Sequence, residues 1–139
     1  MEIAQAFSWI STTMKADTTL MANATGGVWQ GFADIGTIAP YALVTCQSDV
    51  DVLTMNAVRL FTNGVFQIKA IGPTSGFTTL ITIADRIDAL FRRTGPVAIT
   101  GGGGVLACYR EQSVSYSEII NGSAWSHLGG LYRIALQAS

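Results

Sequence analysis

Apolar positions along this chain recur at different periods in different segments. From Glu2 to Met14, Ile3, Phe7, Ile10 and Met14 fall at helical spacing and make one stripe. Ser8, Ser11, Thr12 and Thr13 lower the intrinsic helix propensity there, so this helix must rely on packing. Asp17 fits the N-cap of a further short turn of helix. Gly26-Gly27 ends it, and Val28–Phe32 reads as extended. Ile35–Pro40 is a loop closed by Pro40. Tyr41–Ser48 is apolar, β-rich and bounded by turn residues, the pattern of a buried strand. Asp49-Val50-Asp51-Val52 then alternates polar and apolar, and is expected to leave the core as an exposed stretch.

Asn-Gly tolerates the positive φ angles of a tight hairpin turn, and the dipeptide occurs twice. At Asn63-Gly64 it predicts a hairpin with Phe61 opposite Phe66 and Arg59 opposite Ile68. Phe61, Phe66, Ile68 and Ala70 would then share the core face. At Asn121-Gly122 it predicts a second hairpin, with Tyr116 opposite His127 and Glu118 opposite Trp125. Between them the period becomes 3.6. Phe77, Leu80, Ile81, Ala84, Ile87 and Phe91 line one side of a helix over about Thr74–Arg93. Thr74 or Ser75 can cap it, Asp88 and Arg92 form a favourable i,i+4 pair, and Gly95-Pro96 stops it. The remaining chain is strand-like: Val105–Gln112, Val114–Ile120, Ser123–Leu128 and Leu131–Gln137, with Tyr132, Ile134 and Leu136 on one face. Segregated helices and hairpin-linked strands make an α+β fold, a mostly antiparallel sheet with the long helix and the N-terminal helix packed on it.

The length of 139 residues fits one domain spanning 1–139. Hydrophobic residues are 49% and charged residues 12%, against about 25% charged in typical soluble domains. So few charges leave apolar surface that other subunits are expected to cover. The net charge is −1, and Arg92-Arg93 is the only adjacent basic pair. That balance argues against direct binding of nucleic acid, which needs a clustered basic surface. The N-terminus has no basic region before an apolar run and does not read as a signal peptide. The uncharged run Gly95–Tyr109 falls short of the ~20 residues of a spanning helix and contains four consecutive glycines, so no membrane segment is expected. Cys46 and Cys108 each lie in apolar strand-like runs and read as reduced thiols of a cytoplasmic protein.

Reactive chemistry is sparse. His127 is the only histidine, and it sits on a predicted strand opposite Tyr116 rather than beside a nucleophile. Gly101–Gly104 is followed by Val105-Leu106-Ala107, not by the Lys and Ser/Thr of a phosphate loop, and reads as a flexible connection. Asp49 and Asp51 alone are too few oxygen ligands for a cation site. Asn23-Ala24-Thr25 and Asn121-Gly122-Ser123 match the glycosylation triplet but are more simply turn residues. Trp9, Trp29 and Trp125 are expected in the core or at subunit contacts. No catalytic, cofactor or metal site is predicted, and the chain is not expected to be an enzyme.

The order of elements resembles the small tail-terminator, or tail-completion, proteins of long-tailed bacteriophages. The similarity runs from about Asp17 to Leu136. It rests on Ala39-Pro40-Tyr41-Ala42-Leu43-Val44 entering the first core strand and on Ser48-Asp49-Val50-Asp51 after it. It continues through Phe66-Gln67-Ile68-Lys69-Ala70, the helix Ile83–Leu90, and Tyr132-Arg133-Ile134-Ala135. Lys69 departs from the pattern, which has an acidic or neutral residue there. The resemblance implies a homo-oligomeric ring, commonly six-fold, on the head-proximal end of the tail tube. Such a ring stops tube polymerisation and offers a surface to the head connector or neck protein. It implies no cofactor, no membrane, DNA only as cargo in the ring lumen, and a place in the virion after assembly in the host cytoplasm. Candidate subunit or tube contacts are Asp49, Val50, Asp51, Arg92, Arg93, Gly102 and Gly103. Alternatives are another joint component, such as a head-closure or neck protein, and a small enzyme or ligand-binding domain with a pocket at His127 or Cys108.

Overall fold

The N-terminal stripe forms a helix as its spacing predicts: α1 runs Glu2–Lys15 and buries Ala6, Ile10 and Met14. The computed structural model describes residues 2–99 and 103–138. Asp17 caps α2 (Thr18–Asn23) by accepting from the Leu20 N–H at 2.8 Å. It also accepts from Arg86 of the long helix, 3.3 Å from Nε to Oδ1, with a second, closer bond from Nη2 to Oδ2. These bonds, Arg86 first, hold the Asp17 carboxyl below the usual carboxylate range.

Seven strands form one sheet among the described residues: β1 (Val28–Gln30), β2 (Tyr41–Leu53), β3 (Arg59–Pro73), β4 (Arg93–Thr94), β5 (Val97–Ala98), β6 (Gly104–Ile120) and β7 (Ser123–Gln137). The order is β1-β2-β3-β7-β6-β4, with β5 also on β6. β1 is parallel to β2 and every other pair is antiparallel. The fold is therefore α+β, as expected. α1 and α3 (Phe77–Phe91) cover one face of the sheet. Phe66, Ile68 and Ala70 of β3 and Tyr132, Ile134 and Leu136 of β7 meet them there, each at most 1% exposed. Burying each of the large apolar side chains is worth roughly 1.5–3 kcal/mol. Edge-to-face ring contacts knit the layers: Phe7 to Phe66, Trp9 to Phe91 and Phe91 to Tyr132, with centroids 5.3, 5.4 and 6.1 Å apart.

The second hairpin forms as predicted. Asn121 (φ 50°) and Gly122 (φ 79°) make the turn, with Tyr116 opposite His127 and Glu118 opposite Trp125. The first hairpin does not. β3 runs unbroken through Asn63-Gly64, and the turn lies instead at Thr54–Val58. The Thr54 N–H donates to the Val58 carbonyl at 2.8 Å, the Val58 N–H donates to Thr54 Oγ1 at 3.1 Å, and Ala57 adopts φ 59°. The Asp49–Val52 stretch is thus strand rather than loop, paired to Gly64, Asn63, Thr62 and Phe61 in turn. An unbroken strand alternates faces, so Phe61 points away from the side shared by Phe66 and Ile68.

The long helix is also shifted from its expected face. It buries Leu80, Ile83, Ile87 and Phe91, while Phe77 and Ile81 are 39% and 40% exposed. Thr74 and Ser75 do not cap it. They lie in a single 3-10 turn, Thr74–Gly76, and Thr74 Oγ1 hydrogen-bonds Ser126 Oγ at 2.8 Å. The helix ends at Phe91, before Gly95, because Arg93-Thr94 turns to pair with Tyr109 and Cys108 of β6. Val105–Gln112 and Val114–Ile120 belong to one strand, β6, with register shifts at Val105/Ala107 and Arg110/Gln112.

Candidate functional site

The residues singled out from the sequence do not converge. Asp49, Val50 and Asp51 lie on β2, toward one edge of the sheet. Asp51 accepts from Thr62 Oγ1 at 2.8 Å and lies 4.0 Å from Arg59 Nη1, so it braces its own hairpin. Arg92 and Arg93 lie at the end of α3 and on β4, at the opposite edge. Arg92 reaches back to Asp88 at 3.7 Å, while Arg110 holds the same carboxylate at 3.2 Å. Gly103 precedes β6 with φ 75°, and Gly102 is outside the described residues.

His127 is held as a strand residue beside a ring. Its imidazole stacks on Tyr116, centroids 4.3 Å apart and planes 13° from parallel. Nε2 hydrogen-bonds Glu118 Oε1 at 2.6 Å. Nδ1 is buried without a hydrogen-bond partner. Lys69 is buried beside it, and its Nζ donates to Tyr116 Oη at 2.6 Å. That contact accounts for a lysine inside a sheet: its charge is directed to a phenol at the rim. Cys108 donates to the Phe91 carbonyl at 3.2 Å, and burial pushes its thiol up to about 12. Burial also raises the Cys46 thiol, helped by Asp49. Both cysteines are unpaired, and both are poor nucleophiles in this setting.

The structure also exposes large apolar side chains at several hairpin and loop tips. The β2–β3 hairpin projects past the end of β7, since β3 meets β7 only from Phe61 onward. Its tip carries Leu53 (52% exposed), Met55 (105%), Val58 (60%) and Leu60 (52%). The loop before β2 exposes Phe32, Ile35 and Ile38, and the β6–β7 tip exposes Ile119. The hairpin is held rigid at its root, where Arg59 Nη1 donates to the buried Glu2 carboxylate of α1 at 2.9 Å. Across the molecule, an open cavity of about 520 Å³ is lined by Trp9, Thr12, Leu90 and Ile99, among others. Low charge content was the sequence signal for such surface. The position of the tip was hidden because its turn, Thr54–Val58, has neither Gly nor Pro.

No helix among the described residues is long and apolar enough to cross a membrane. No protein-family model matches the sequence, and no curated protein matches it. Among solved structures, the chain is similar to a chain from the virion of a native gene transfer agent particle. The TM-score is 0.70 at 13% identity, over 93% of this chain and 92% of that one. A second solved chain matches with TM-score 0.54 at 15% identity, over 94% of each. At these identities the likeness is one of fold, carried along nearly the whole length of each chain.

Proposed function

We propose that this chain is a structural, non-enzymatic subunit of a phage-type virion. On this reading it acts as one domain that forms a ring at the head-proximal end of the tail tube. The observation that carries the reading is the near full-length fold likeness to a chain of a gene transfer agent virion. Exposed apolar hairpin and loop tips support it, because patches of that kind mark surfaces meant for other subunits. A tube grows by adding one subunit to its own end. Growth stops when that end is covered by a protein that binds the tube and offers no equivalent surface for the next subunit. A small sheet domain with different loops at its two ends can do both, and its far side can receive the head connector. Asp49, Val50, Asp51, Arg92, Arg93, Gly102 and Gly103 remain the proposed contact positions, and Asp51 also braces its own hairpin.

Electron microscopy of particles assembled without this gene tests the reading. Overlong tails that fail to join heads are expected. A head-closure or neck subunit is the second reading, since the same fold likeness is to a virion chain without a stated position. Tails of normal length lying free of filled heads would favour it. Normal tails already joined to filled heads would exclude both.

A further inference from the structure

A ring with cyclic symmetry needs two different, complementary patches on each subunit, placed so that one copy's knob meets the next copy's hole. This chain has such a pair. The knob is the β2–β3 hairpin tip, with Met55 fully exposed and Leu53, Val58 and Leu60 half-exposed around it. The hole is the cavity of about 520 Å³ beside Trp9, Leu90 and Ile99. They lie toward opposite edges of the sheet. β2 is next to one edge, and β5, which supplies Ala98 to the cavity wall, is at the other. A knob and hole on one edge would pair copies face to face. On opposite edges they join copies head to tail.

Charge points the same way. Asp49 is exposed on the arm of the hairpin. Lys15, next to the cavity-lining Ala16, and Arg93, three residues past Leu90, are exposed and make no ion pair among the described residues. Arg59 on the hairpin and Asp17 in the cavity wall are already paired, with Glu2 and Arg86, which leaves Asp49 to face Lys15 and Arg93 across the joint. The hairpin is also ready-shaped. The Arg59–Glu2 bond and the Thr62–Asp51 bond fix its root, so little ordering is needed on docking.

We infer that the β2–β3 hairpin tip of one copy, led by Met55, seats in the Trp9–Leu90–Ile99 cavity of the next copy and forms the ring's repeating joint. This rests on the ring reading above, and it names the joint within it.

The test is site-directed cross-linking of the full chain with a short bismaleimide. One preparation carries Met55→Cys, a second carries Thr12→Cys at the cavity wall, and a control carries Ser115→Cys on the exposed part of β6. Mixing the first two is expected to give at least ten times more covalent dimer than mixing the first with the control. The excess should fall as salt screens Asp49 from Lys15 and Arg93. A chain with both Met55→Cys and Thr12→Cys should give a ladder that stops at a closed oligomer. Equal yields from both mixtures, with wild-type rings still visible by electron microscopy, would overturn the joint and leave the ring. Equal yields with a wild type that stays monomeric at every concentration and on tube ends would overturn both.

Discussion

The same dipeptide, Asn-Gly, sits in two strands of this sheet and does opposite things. At Asn121-Gly122 both residues take positive φ and the chain reverses. At Asn63-Gly64 neither does, and β3 runs straight through. The difference lies in the partners available. β7 meets β3 only from Trp125 onward, so no third strand competes with the local backbone preference at the β6–β7 tip. β3 is flanked on both sides at the dipeptide itself. Asn63 is paired to Val50 of β2 and to Ala135 of β7, and Gly64 to Asp49 and Ile134. A turn at Asn63-Gly64 would abandon both ladders. Two strands' worth of pairing and the core side chains they carry outweigh a turn preference of about 1 kcal/mol.

Gly64 has a second reason to be glycine. A side chain there would place its Cβ 2.8 Å from Phe66 Cε2. That ring is fully buried and held edge-on by Phe7, so it has nowhere to retreat. Gly64→Val should destabilise the fold by about 1–3 kcal/mol, the range for overpacking a filled core. Denaturant unfolding measures it. A loss below about half a kcal/mol would mean that the Phe66 ring relaxes freely.

Gly122 is the counterpart with empty space. Nothing lies within 4 Å of a Cβ placed there, so Gly122→Ala tests backbone conformation alone. The left-handed φ of 79° should cost about 1 kcal/mol. The loss should appear as faster amide exchange in the outer turn of β6 and β7, with β3 unaffected. An equal loss of protection in β3 would mean that the two hairpins unfold as one unit.

Much of the fold was legible where the contacts are local. The α1 stripe, the Asp17 cap, the Tyr116–His127 register and the Tyr132–Ile134–Leu136 face all depend on residues close in sequence. The face of α3 was not legible. Phe77, Leu80, Ile81, Ile83, Ala84, Ile87, Leu90 and Phe91 spread apolar surface over more than half the helix, and only the sheet beneath decides which stripe is buried. The β3–β7 pairing joins residues about sixty positions apart, so the run past Asn63-Gly64 had no local signature. The projecting hairpin followed from that same displacement, because moving the turn from Asn63 to Thr54 carries Asp49–Val52 into the strand. The candidate residues at the two sheet edges could not be sorted into separate surfaces before the strand order was known.

One substitution made at both asparagines should act with opposite signs. Asn63 Oδ1 is buried without a hydrogen-bond partner. Its residue is strand-paired on both sides, and asparagine is a poor strand former. Asn63→Val removes the unpaired oxygen and adds a β-branched side chain suited to the pleat, so it should stabilise the fold by about 0.5–1 kcal/mol. The same change at Asn121 puts a β-branched residue at φ 50° and should destabilise by about 1–2 kcal/mol. Thermal unfolding of the two variants side by side measures the pair. If Asn63→Val lowers stability as Asn121→Val does, the Asn63 amide has a role in the sheet that the pairing does not explain. If the signs differ, long-range pairing has overruled the local turn preference at the one site and left it in control at the other.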